Sequence, residues 1–179
     1  MHLFPDFSFE WYGGWWLSLV FLIISFSLTA MIPKHNLIRF VKVPKLKYFN
    51  LSYVVVYYLQ LALLTAVPLV ENPFLKTSGI ILYVIGILLY TAALYSFSIS
   101  EYDKPVVSGV YSFSRHPVYT SFFIIIAGAS IATGSLLLLL INIVHLGVAY
   151  FIAKREELEC SISYGNSYDK YKSEVRMFL

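Results

Sequence analysis

Long unbroken apolar runs organise this chain. Four blocks stand out, at about 13–32, 51–70, 78–100 and 118–153. Each of the first three is about 20 residues long, the length a helix needs to cross a hydrocarbon layer of about 30 Å. The fourth is too long for one crossing, and Gly134-Ser135, just after Thr133, supplies a reversal point within it. The pattern predicts membrane helices over 13–32, 51–70, 78–100, 118–133 and 135–153 in one domain covering residues 1–179. The expected fold class is an all-α integral membrane protein with five transmembrane helices, the last two a helical hairpin, and a cytoplasmic C-terminal helical extension.

Charge placement tests that count independently. Residues 1–33 hold Asp6 and Glu10 but no Lys or Arg. The 34–50 connection holds Lys34, Arg39, Lys42, Lys45 and Lys47, the 71–77 connection Lys76, and the 101–117 connection Lys104 and Arg115. Lys154, Arg155, Lys170, Lys172 and Arg176 fall in the tail. With the N-terminus outside and five crossings, every basic residue except Lys76 faces the cytoplasm, as the positive-inside rule requires.

Composition agrees. Of 179 residues 59% are apolar and only 13% charged, with a mean hydropathy of +0.72, too little polar surface for a water-soluble domain of this length. The net charge of +3 is spent on orientation signals and gives no reason to expect a nucleic-acid partner. The first apolar segment is expected to be a membrane helix rather than a removable leader, because acidic residues precede it and its run is too long for a signal core. Cys160 is the only cysteine, so an internal disulfide is excluded and no metal centre is expected. Oligomeric state is left open.

On this topology two polar segments meet at the cytoplasmic face: 101–117, EYDKPVVSGVYSFSRHP, and the tail 154–179, which prolongs the last helix. Arg115-His116-Pro117 has two readings. Pro117 suits the first turn of a helix, where its missing N–H is harmless, and Arg115 would serve as an interfacial anchor. Alternatively, Gly109 lets backbone approach a ligand closely, the first turn after Pro117 offers N–H groups to an anion, and Arg115 grips a carboxylate. Glu156 and Glu157 are either a solvated run with Lys154 and Arg155 or carboxylates held to bind a cation. Asn142, His145, Ala149, Ile152 and Glu156 fall on one stripe of the last helix, with His145 about 16 Å from Glu156 along the axis at 1.5 Å per residue. His145, Asn142 and Gln60 read first as interhelical hydrogen-bonders. Tyr164, Tyr168 and Tyr171 form either an interfacial aromatic belt or faces for a base or sulfonium. Cys160 reads as a small apolar contact.

Taken together, Gly109-x-Tyr111, Arg115-His116-Pro117-x-Tyr119, Glu156-Glu157 and Tyr164-Gly165-x-x-Tyr168-x-x-Tyr171 resemble the isoprenylcysteine carboxyl methyltransferase and phospholipid methyltransferase superfamily, over roughly residues 101–179. The resemblance implies a membrane enzyme that binds S-adenosylmethionine at its cytosolic C-terminal part and methylates a lipophilic acceptor. It implies cofactor-binding roles for Gly109, Tyr111, Arg115, His116, Tyr119, Glu156, Glu157, Tyr164, Tyr168 and Tyr171, with Arg115, His116 and Glu156 nearest the chemistry. Two positions depart from the family pattern: Ser121 stands where many members have Gly, and the terminus VRMFL lacks a common proline, with Arg176 an approximate match. Sterol reductases of the same superfamily, which use NADPH, share the RHPxY motif and a pattern that here reads Glu156, Cys160, Tyr164, Gly165 and Tyr171. A non-catalytic scaffold of the same fold is the third reading.

Overall fold

The computed structural model describes residues 11, 13–41 and 47–178, with backbone alone for 38–41 and 47–49. Asp6, Glu10, Lys42 and Lys45 lie outside the described residues, as do the side chains of Arg39 and Lys47. Within that span the protein is all-helical: α1 Trp15–Met31, α2 Lys34–Val41, α3 Lys47–Thr65, α4 Pro73–Ser98, α5 Pro117–Ala132, α6 Leu136–Tyr164 and α7 Asn166–Glu174, with a single 3-10 turn at Gly109–Ser112. Two helices, α4 and α6, are long and apolar enough to cross a membrane, while Trp15–Met31, Asn50–Thr65 and Pro117–Ala132 are shorter apolar helices. Large apolar side chains such as Ile81, Ile85, Leu88, Ile143, Val144 and Phe151 stay exposed on the outside of the bundle.

The boundaries have local causes. Asn72 caps α4 by accepting from the N–H groups of Phe74 and Leu75, and Pro73 occupies the first helical position. The reversal expected at Gly134-Ser135 is present: Gly134 has φ +65, open to glycine without strain, and the Ser135 hydroxyl accepts from the Leu138 N–H at 3.2 Å. α6 does not stop where its apolar stretch ends at Lys154 but runs on to Tyr164, so Glu156 and Glu157 lie inside a helix and clear of its C-terminal dipole. Its buried stripe follows Leu138, Asn142, His145, Ala149 and Ile152 and then passes to Glu157, not Glu156.

α4 and α5 form the tightest pair. A Cβ on Gly79 would lie 2.3 Å from Ala132 N, and one on Gly128 would lie 2.4 Å from Tyr83 N, so the backbones touch only because these residues have no side chain. Ser121 is fully buried on the same helix and returns its hydroxyl to the Val118 carbonyl at 2.9 Å, so the residue that departs from the family pattern is satisfied locally. Phe21, Tyr57, Tyr90 and Phe122 build an aromatic centre between α1, α3, α4 and α5.

One element was unexpected. Residues 34–41, read as part of a loop, form α2, and its wholly buried Asn36 donates to the carbonyls of Ser98 and Ser100 at 3.1 and 3.0 Å. That anchor fixes the basic α2 segment to the end of α4, the same end of the bundle from which 101–117 departs.

Candidate functional site

The two polar segments converge. Arg115, just ahead of α5, reaches Glu157 of α6, 42 residues later: Nε donates to Oε1 at 2.7 Å and Nη2 lies 2.6 Å from the same oxygen. Glu157 is fully buried and its other oxygen faces Lys172 Nζ at 3.5 Å. Charge this deep is sustained only by a well-placed opposite charge. Burial alone pushes the Glu157 carboxyl up, and His116 together with the Arg115 guanidinium outweighs it, bringing the group down to about 2.

The tail is stitched to the 101–117 segment by its own backbone. Arg115 Nη1 donates to the carbonyls of Lys172 (2.9 Å) and Val175. The main-chain N–H groups of Arg115 and His116 donate to the carbonyls of Arg176 and Met177 at 2.9 and 3.1 Å. The Tyr171 hydroxyl donates to the Tyr111 carbonyl at 2.6 Å. Val175, Arg176 and Met177, in the terminal stretch that departs from the family pattern, are thus the partners of the RHP segment. These bonds satisfy the two main-chain N–H groups that lead into α5.

His116 stands between the two glutamates, with Nδ1 3.5 Å from Glu156 Oε2 and Nε2 3.5 Å from Glu157 Oε1. Its ring stacks on Tyr119 at 5.7 Å, and the Tyr119 hydroxyl donates to Glu156 Oε1 at 2.8 Å. Glu156 keeps a wet side, its side chain being 29% exposed. Burial raises its carboxyl, opposed by His116 and by the Tyr119 hydrogen bond. Adjacent glutamates are therefore driven in opposite directions.

Of the remaining expected residues, Tyr168 and Tyr171 are buried in the same region, their rings 5.8 Å apart, and burial pushes both hydroxyls up. Tyr164 ends α6 and accepts from the Ser167 hydroxyl at 2.7 Å, just before the turn at Gly165, φ +56. Gly109, φ +63, sits where a Cβ would fall 2.3 Å from Ser96 Oγ, so its close approach is to α4. Among the described residues no His, Cys, Asp or Glu group has the makings of a metal site.

Sequence reasoning passed over Lys172 and the tail carbonyls, which carry no side-chain signature. It also did not foresee how Gln60, Asn142 and His145 pair within the bundle. Gln60 Nε2 donates to Asn142 Oδ1 at 3.3 Å, Asn142 Nδ2 to the Phe123 carbonyl at 2.9 Å, and His145 Nδ1 meets Gln60 Oε1 at 2.5 Å.

A zwitterionic nucleoside fits the chemistry of the rim cluster. Two carboxylates, a guanidinium and flat rings converge there, and two buried atoms, His116 Nε2 and Glu157 Oε2, have no hydrogen-bond partner.

Comparison with curated proteins returns no match, and neither does comparison with solved structures. A family model described as phospholipid methyltransferase matches residues 75–167. The match takes in α4, α5, α6 and the start of α7, covering the RHP segment, both glutamates and more than half of the chain. This chain belongs to the phospholipid methyltransferase family.

Proposed function

We propose that the protein is an integral membrane methyltransferase that uses S-adenosylmethionine to methylate a lipophilic acceptor, such as an isoprenylcysteine carboxylate or a lipid head group. The observation that carries this reading is the meeting of Arg115, His116 and Tyr119 with Glu156 and Glu157 where the apolar part of α6 ends. The cofactor supplies an activated methyl group, so the chain's task is to bind, orient and exclude water.

The geometry divides the labour. Of the five N–H donors of Arg115, most are committed to Glu157 and to the carbonyls of Lys172 and Val175. Arg115 therefore acts chiefly as the strut that holds the tail against the 101–117 segment, with the second N–H of Nη2 left to touch a ligand carboxylate. Glu156, partly wet and tethered only by Tyr119 and His116, is the carboxylate available to an ammonium group. His116, Tyr119, Tyr168 and Tyr171 supply ring faces, Tyr164 and Gly165 the turn that folds α7 back, and Gly109 and Tyr111 the floor to which Tyr171 bonds. The acceptor enters sideways from lipid. Five crossings, N-terminus outside and C-terminus cytoplasmic, match the basic residues of α2, the 101–117 segment and the tail.

Differential scanning fluorimetry in detergent tests the cofactor. S-adenosylhomocysteine at about a hundred times its Kd is expected to stabilise the fold by about 2.7 kcal/mol, and Glu156→Gln is expected to weaken that shift at least tenfold in concentration. Stabilisation by NADPH with none from S-adenosylhomocysteine would reassign the protein to reductase chemistry. Stabilisation by neither would leave a scaffold.

A further inference from the structure

The tautomer of His145 is dictated by a backbone carbonyl three hydrogen bonds away. The Phe123 carbonyl can only accept, so the group of Asn142 that faces it at 2.9 Å is the NH2. Asn142 Oδ1 must then face Gln60, whose own NH2 donates to it at 3.3 Å. This turns Gln60 Oε1 toward His145 Nδ1 at 2.5 Å, and an oxygen there requires the ring proton on Nδ1. In the neutral ring His145 Nε2 is consequently an unprotonated lone pair. It is buried, on a side chain only 2% exposed, and no hydrogen-bond donor reaches it.

A polar atom left so in an apolar interior carries a desolvation penalty that evolution normally removes. His145 lines a small cavity together with Tyr53, Phe122, Asn142 and Tyr119, the last of which holds Glu156 through its hydroxyl. The His145 and Tyr53 rings are 4.3 Å apart, and the Tyr53 and Tyr119 rings 5.6 Å apart. The cavity has room for about one water-sized group. A carboxylate or phosphate, with several heavy atoms and no proton to give, matches neither its size nor its lone pair. A hydroxyl or amine matches both.

We propose that His145 is a catalytic residue whose Nε2 receives the N–H or O–H of the methyl acceptor's head group and takes its proton during transfer. The inference rests on the methyltransferase reading. As the nucleophile's N or O bonds to the methyl carbon, the carbon–sulfur bond breaks with its electron pair going to sulfur. The nucleophile's proton passes to Nε2, and the imidazolium formed is held through Nδ1–H by Gln60 Oε1. The positive charge leaves sulfur and ends on a ring already oriented to carry it.

The full chain in micelles, with 15N-labelled histidine, tests this without turnover. His145 is assigned by its loss in His145→Asn, which keeps an N–H donor for Gln60 and deletes the Nε2 lone pair. The free protein is expected to show a proton on Nδ1 and none on Nε2. Octylamine or octanol is expected to move the Nε2 resonance, whereas octyl methyl ether and octanoate leave it in place; which of the two donors acts identifies the nucleophile. In methyl-transfer assays His145→Asn is expected to lower kcat for amine- or hydroxyl-bearing acceptors about 100-fold, with melting temperature and S-adenosylhomocysteine binding as in the wild type. A proton found on Nε2, an ether that acts as strongly as the alcohol, no response to any of the four amphiphiles, or an unchanged kcat would overturn the assignment. Failure of the wild-type chain to bind S-adenosylhomocysteine would remove the methyltransferase reading instead, and the amphiphile titration would still decide whether Nε2 receives a donor.

Discussion

Two polar clusters sit a few turns apart on α6 and are built on opposite principles. The rim cluster, Arg115, His116, Glu156, Glu157 and Lys172, is ionic and joins the 101–117 segment to α6 and α7. The inner cluster, Gln60, Asn142 and His145, is held together by amides and a neutral ring inside the bundle. The difference follows from where each lies. Full charge in an apolar interior is expensive and neutral hydrogen-bonding groups are far less so, whereas where the apolar stretch of α6 ends a carboxylate can keep one wet side, as Glu156 does. Under the proposed function the rim cluster would therefore hold the charged ligand, and the inner one an uncharged group.

The largest effect expected from breaking this contrast is at Glu157. Glu157→Ala strands the Arg115 guanidinium, which is only 10% exposed, and removal of one partner of a buried pair costs about 3–5 kcal/mol. The tail should then detach, since Arg115 also holds the Lys172 and Val175 carbonyls. Unfolding in mixed micelles measures the first, and limited proteolysis after residue 165 the second. A wild-type melting temperature with a protected tail would show that the ion pair is not the strut.

Gln60→Leu should do less. It leaves Asn142 Oδ1 and His145 Nδ1 without partners, yet interhelical hydrogen bonds in membrane proteins contribute only about 0.6–2 kcal/mol each. The same unfolding assay ranks the two clusters directly. If Gln60→Leu proves the more damaging, charge is not what distinguishes the rim.

How far the sequence already contained this picture differs between the clusters. Each of α1, α3, α4, α5 and α6 overlaps one apolar run, but α3 and α4 begin four and five residues ahead of theirs and α6 runs on to Tyr164, while the turn at Gly134-Ser135 was legible because glycine and a capping hydroxyl are specific to turns. The convergence of the RHP segment with Glu156-Glu157 followed from placing both at one end of the helices. Which glutamate would be buried did not, because neighbours on a helix differ by about 100° in direction and only the position of α5 selects one. The tail's grip on Arg115 and His116 runs through the carbonyls of Lys172, Val175, Arg176 and Met177, which every residue type possesses. Gly79 and Gly128 are visible as letters, but their role depends on α4 and α5 facing each other. Asn36 was hidden inside a basic stretch that reads as a loop until α2 is seen docked on the end of α4.

Acid titration sharpens the contrast within the rim itself. The Glu157 carboxyl is depressed to about 2 from an ordinary value of 4.5, so its stabilising contribution is complete above about pH 4.5 and is lost as pH falls toward 2. Glu156 is shifted the other way: its ionised form is disfavoured in the fold, a burden present above its folded pKa and relieved as pH falls through it. Melting temperature followed from pH 7 to pH 2 should therefore fall less steeply in Glu157→Gln than in the wild type, from a lower start. Glu156→Gln should match or exceed the wild type near neutrality. Shifts of the same sign in both variants would mean that the two carboxyls share one environment.

The smallest effect is the one that joins the two clusters. Tyr119 lines the inner cavity with its ring and reaches the rim with its hydroxyl, which donates to Glu156 Oε1 at 2.8 Å. Tyr119→Phe keeps the ring and removes that bond. Because Glu156 is partly wet, water replaces the lost donor, and the net cost should be about 0.5–1.5 kcal/mol. The hydroxyl favours the ionised carboxylate, so its loss should also raise the pH at which Glu156 protonates, extending the relief seen on acidification to higher pH. In a double-mutant cycle with Glu156→Ala the coupling should account for most of the single-site cost of Tyr119→Phe. A coupling near zero, with the tyrosine variant still destabilised, would mean that Tyr119 acts through packing alone and that the rim and the inner cavity are separate devices.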